Sequence, residues 1–118
     1  MIRKVDVQGM AKGGPYSHAV VYGGVVFLSG MTGQDPSRET SFAEQFRNAC
    51  EKVRRALSEA GSSMEKVLKV TVYLSDPSFF SEMNAIFREY FGAPARTTVV
   101  CSFPDPRVKV EVDVVAAL

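Results

Sequence analysis

Residues 93–115 read APARTTVVCSFPDPRVKVEVDVV, and this stretch decides the fold class. Over 108–115 valine alternates with Lys109, Glu111 and Asp113. A period of two between apolar and charged side chains marks a strand with one face buried and the other not. The β-branched run at 97–100 predicts another strand over 96–101, carrying one guanidinium, Arg96. The simplest pairing is a hairpin that sets Arg96 against Glu111. Pro104 and Pro106 lie in the connection, however, and proline disfavours a tight two-residue turn there.

Two amphipathic helices upstream supply the partner for the buried face. Ser41, with Glu44 three residues on, reads as a capping box in which each side chain satisfies the other's backbone donor. Phe42, Phe46, Ala49, Cys50, Val53, Ala56, Leu57 and Ala60 then recur at helical spacing until Gly61 stops the helix, while Arg47, Glu51, Arg54 and Arg55 mark the opposite face. Asp76-Pro77 is an N-cap followed by proline at the first helical position. The second helix runs to about residue 91 with Phe80, Met83, Phe87 and Tyr90 on its stripe, and Gly92 ends it. Elsewhere, IRKVDVQ reads as a first strand, and the two β runs around Gly23-Gly24 as a hairpin. The segment MTGQDPSRET is loop, and a short helical turn at 64–66 feeds a strand over 68–74. The order β-β-β-α-β-α-β-β predicts a two-layer α+β domain over 1–118, with a six-stranded sheet carrying both helices on one side. Its other face, with Glu111, Asp113 and residues such as Thr71 and Tyr73, is too β-branched for plain solvent. An oligomer packed through it, with polar pockets at the seams, is the expectation.

Composition narrows the function classes. The 118 residues carry 14 Lys and Arg against 13 Asp and Glu, a net charge of +1. That balance offers no electrostatic case for nucleic acid. No stretch has the length of a membrane span, and the first residues lack a signal-peptide core. Cys50 and Cys101 show no metal-ligand spacing, and a reduced, cytoplasmic setting is expected. No metal set, glycine-rich phosphate loop or Ser-His-Asp order is present.

A few side chains can carry chemistry. Arg96 keeps its charge, and its planar fork matches a carboxylate. Glu111 can hold a water and move a proton. Tyr16 follows the stiff Gly14-Pro15 step and offers a hydroxyl. Ser29-Gly30 ends a strand where bare backbone can approach a ligand closely. Together they describe a pocket for a small carboxylic acid. From spacing alone, Arg96 and Glu111 equally read as ordinary surface or interface charges. His18, the only histidine, has no visible partner and reads as structural or exposed. Cys50 reads as core packing, as does Cys101 with less force because it ends the Arg96 strand. Asn84 sits mid-helix, either as an exposed neutral residue or as a side chain holding a loop.

The motifs GPYSHAV, VFLSGMTGQDP, MNAIFREYF, PARTTV and VKVEVDVVA occur in this order, with 15 residues separating Arg96 from Glu111. From about residue 14 to 117 the chain resembles the RidA family of reactive-intermediate deaminases, also called the YjgF or UK-type family. The resemblance implies a chorismate-mutase-like fold and a homotrimer, with active sites between neighbouring subunits. The pocket would then combine groups from two chains rather than across a hairpin. It implies hydrolysis of short-lived enamines and imines, 2-iminobutanoate and 2-iminopropanoate, to 2-oxo acids and ammonia without a cofactor. Carried over by position, Arg96 is the clamp for the substrate carboxylate and Glu111 the residue that positions or activates water. Tyr16 lines the cleft, Ser29 and Gly30 give backbone contacts, and Asn84 supports the site. Thr98 stands where many members have cysteine, which bears on substrate preference. Two other classes compete: a non-catalytic 2-oxo-acid-binding or chaperone-like trimer, and, against the charge balance, an endoribonuclease.

Overall fold

In the computed structural model, which describes residues 1–118, the period-two runs pair into one mixed sheet. Its strands are β1 (Arg3–Val5), β2 (Ala19–Tyr22), β3 (Val25–Leu28), β4 (Met31–Thr32), β5 (Val67–Leu74), β6 (Ala95–Val100) and β7 (Val110–Ala117). The expected six form the path β1-β2-β3-β7-β5-β6. The seventh, β4, is a two-residue strand within the segment read as loop, and it pairs antiparallel with β7. Two residues are too few for a periodicity to register, so only the partner strand creates β4.

The helices are α1 (Phe42–Ala60) and α2 (Phe80–Tyr90). Ser41 caps α1 by accepting the Glu44 N–H at 3.2 Å. The reciprocal half of the capping box is absent, because the Glu44 carboxylate pairs with Arg38 instead. A charge-assisted fork outcompetes a single neutral backbone donor. Gly61 ends α1 in the left-handed region at φ 93°, with its N–H on the Leu57 and Ser58 carbonyls. The second helix begins later than its sequence signals. Asp76 caps a 3-10 turn, Pro77–Phe79, by accepting the Ser78 N–H at 2.8 Å, and α2 follows directly.

The core lies between helices and sheet. Phe46, Ala49, Cys50, Val53 and Leu57 of α1 and Met83 of α2 meet Val70, Val72 and Leu74 of β5 and Val110, Val112 and Val114 of β7, all essentially without exposure. Glu111, Asp113 and Val115 take the other face with Thr71, Tyr73 and Phe27. Phe27 remains 48% exposed there and Val99 40%. Lys109 departs from the expected charged row. It precedes β7, and its ammonium turns to Glu39 and the Thr40 carbonyl at 2.8 and 2.7 Å. No helix is long and apolar enough to cross a membrane.

Candidate active site

β6 runs parallel to β5, and β7 runs antiparallel along the other side of β5. A strand therefore separates Arg96 from Glu111, and the hairpin pairing does not form. Register adds a second separation. Arg96 pairs with the buried Val70 and so points to the helix side, whereas Glu111 pairs with Tyr73 on the uncovered side. Side chains of directly paired residues share a face, so one chain holds its guanidinium and its carboxylate on opposite faces of the sheet.

Arg96 lies at the edge formed by β6 and α2. Asn84 accepts from Arg96 Nη1 at 2.7 Å, and the Met83 sulfur lies 3.6 Å from the same nitrogen. The guanidinium stands 4.9 Å from the centre of the Phe87 ring and 5.8 Å from that of Phe80. Aromatic faces attract a cation without neutralising it. Arg96 enters none of the chain's ion pairs. Its charge is thus oriented by Asn84 and two rings without a carboxylate partner. Thr98, paired with Val72, lies on the same face two residues on.

Glu111 lines a cleft of about 770 Å³ whose walls also include Tyr16, Ser29, Gly30, Lys52 and Phe103. Gly30 is required by space. A Cβ there would fall inside the Glu111 carboxylate, so only bare backbone admits it. Burial, and then the Asp113 charge, push the Glu111 carboxyl above the usual carboxylate range. The Tyr16 hydroxyl accepts the Gly13 N–H at 3.0 Å, which holds the ring in the cleft wall and leaves its own proton free to donate. The Ser29 hydroxyl donates to the Ser17 carbonyl at 2.6 Å and the Ser29 backbone N–H to the His18 carbonyl at 3.0 Å, so both donors of Ser29 are engaged within the chain.

His18 also borders this cleft, but as structure. It is buried; Nδ1 accepts the Val7 N–H at 2.8 Å and Nε2 faces the Ala11 carbonyl at 3.3 Å. Both ring nitrogens are thereby occupied in fastening the loop after β1. Cys50 is fully buried in α1, with its thiol pushed up to about 12 by burial. Two residues escaped sequence reading. Lys52 flanks the apolar stripe of α1, where its sequence position marks neither face, yet its Nζ reaches the Thr32 carbonyl at 2.7 Å. Asp113 looked like one more solvated strand charge, but its carboxylate accepts from the Tyr73 hydroxyl at 2.9 Å beside Glu111. Only the position of Lys52 at the stripe's margin hinted at the first; nothing local marks the second.

Known proteins share this arrangement of strands and helices. The chain is 38% identical over 109 residues to a RutC family protein of Pyrococcus abyssi, covering 87% of this chain and 86% of that one. It is 32% identical over 124 residues to human 2-iminobutanoate/2-iminopropanoate deaminase, covering 98% and 90%. A solved YjgF family protein of Neisseria meningitidis superposes with a TM-score of 0.84 at 33% identity, covering 99% of this chain and 94% of that one. The sequence pattern described as Endoribonuclease L-PSP matches residues 8–118, and with these likenesses it places the chain in the YjgF/RidA family.

Proposed function

We propose that this protein is a deaminase that hydrolyses 2-imino acids and their enamine tautomers, of the 2-iminobutanoate/2-iminopropanoate type, to 2-oxo acids and ammonia. We further propose that its site joins the Arg96 half of one protomer to the Glu111 half of another. The placement of a guanidinium without an ion-pair partner and a carboxyl of raised pKa on opposite faces of one sheet carries this reading. Each half lacks what the other has, and a cyclic assembly brings unlike faces together at every seam. The uncovered face, with Phe27, Val99, Thr71 and Tyr73, supplies the apolar and β-branched surface for packing into the expected homotrimer.

The chemistry needs only these groups. Arg96, aligned by Asn84, holds the substrate carboxylate through two parallel hydrogen bonds. Glu111 accepts a proton from water as the oxygen adds to the protonated imine carbon, giving a carbinolamine. It returns that proton to nitrogen, ammonia departs, and the hydroxyl loses its proton to leave the 2-oxo acid. A carboxyl with a raised pKa suits both steps, because it accepts and returns protons closer to neutrality. The imine is already electrophilic, so holding water and carboxylate in place supplies most of the acceleration. We place the protein in the cytoplasm, the setting that suits two free cysteines.

Ammonia release from an amino-acid dehydratase reaction tests this reading. The parent protein accelerates release; Arg96→Ala and Glu111→Gln each lower kcat/KM by about 30-fold or more, the lower bound for truncating one partner of a desolvated charge pair. Arg96→Ala protein as active as the parent refutes the clamp. Binding of 2-oxo acids without turnover of any imine makes the protein a binder instead.

A further inference from the structure

The cleft holds a cation that the reaction does not use. We propose that Lys52 is a second anion anchor, so that the preferred 2-imino acids carry another carboxylate at the far end of their side chain. The inference rests on the deaminase reading and specifies its substrate class.

Position comes first. Lys52 Nζ donates to the carbonyl of Thr32 at 2.7 Å, and Thr32 is the residue paired with Glu111 across β4 and β7. The ammonium thus borders the same cleft as Glu111 and Gly30. Beyond it the wall continues into a polar depression that includes Gly33, Gln34, Asn48 and Arg55. The cleft's volume, about 770 Å³, exceeds the needs of a three- or four-carbon acid and leaves room for an extended side chain.

Charge comes second. Lys52 takes part in no ion pair. The nearby acids are engaged elsewhere: Glu51 holds Arg54 at 3.2 Å, and Asp35 holds Arg38 at 3.3 Å. Arg55, one turn along α1, also lacks a carboxylate, and its Nη2 rests on the Gln8 carbonyl at 3.1 Å. Glu111 and Lys52 do not pair with each other, so the carboxylate stays free for water and the ammonium for a ligand. Burial and the Arg55 charge both disfavour the lysine's proton. A half-buried cation with one of three N–H groups engaged gains more from an arriving carboxylate than a solvated one does, because less water screens the pair. A lysine that merely blunts the free edge of β4 would turn its charge to solvent or to a neighbouring acid.

Calorimetric titration with 2-oxobutanoate and 2-oxoglutarate, which stand in for products without and with the distal carboxylate, decides the question. The parent binds the dicarboxylate more tightly, and added salt erodes that preference. Lys52→Gln lowers the ratio of the two affinities by about tenfold, while Lys52→Arg retains it. A parent without preference, or a Lys52→Gln protein that keeps the parental ratio, overturns the proposal. The underlying reading fails separately: Arg96→Ala should weaken both ligands and leave their ratio unchanged, and undiminished affinity for both removes the clamp whatever Lys52 does.

Discussion

Two inactive variants of this protein should restore each other. Neighbouring strands lie about 4.8 Å apart, so β6 and β7, on either side of β5, are separated by about 10 Å laterally. Arg96 and Glu111 then diverge to opposite faces. No rotamer brings the two groups to one three-carbon substrate within a chain. In the proposed ring, each site would join Arg96 of one protomer to Glu111 of the next. Arg96→Ala and Glu111→Gln chains, unfolded together in equal amounts and refolded, form an intact site only when the first protomer supplies Arg96 and the second Glu111. Random assembly makes about one quarter of the sites intact. With each variant alone at about one thirtieth of parental activity, the mixture should stand about eightfold above either. Ammonia release measures the activity, and native mass spectrometry shows that the chains have mixed. Mixed assemblies no more active than the separate variants refute the shared site.

The raised Glu111 carboxyl sets the pH behaviour. The proposed mechanism needs Glu111 ionised, so the acidic limb of kcat/KM should lie above the ordinary glutamate range, and Asp113→Asn, which removes a like charge, should move it to lower pH; an unmoved limb excludes Asp113 as its cause. Stability has the opposite sense. The folded chain holds this proton more tightly than the unfolded one, so the resulting stabilisation is complete below the unfolded pKa and lost as pH rises through the folded value. Relative to the parent, Glu111→Gln should therefore gain denaturation midpoint from acid to neutral pH, and a constant difference would exclude this linkage. Gly30→Ala should lower kcat by about tenfold or more with the fold retained by circular dichroism, since its methyl displaces the carboxylate; parental kcat would show that Glu111 tolerates a different seat.

Much of the fold was legible because its signals are local. The stripe from Phe42 to Ala60, closed by Ser41 and Gly61, needs only the 3.6-residue period and capping chemistry. Gly23 and Gly24, with φ of 60° and 80°, take the left-handed turn that their dipeptide announced. Features that depend on a partner were not legible. β4 exists through β7, Glu44 chose Arg38 over its cap, and Lys109 left its row for Glu39.

The site divides in the same way. Arg96, Glu111, Tyr16 and Gly30 could be named from residue type and motif order, because a fixed cation, a carboxylate, a hydroxyl and a bare backbone each announce a chemistry. Their grouping could not. Strand order and register decide which side chains share a face, and these arise from contacts between residues far apart in sequence. By itself the sequence determined two helices on a one-sided sheet and the residue types of the candidate site. Only the tertiary structure set Arg96 and Glu111 on opposite faces, put Asp113 beside Glu111 and brought Lys52 to the same cleft, because a side chain's neighbours are chosen by strand pairing and helix packing and not by proximity along the chain.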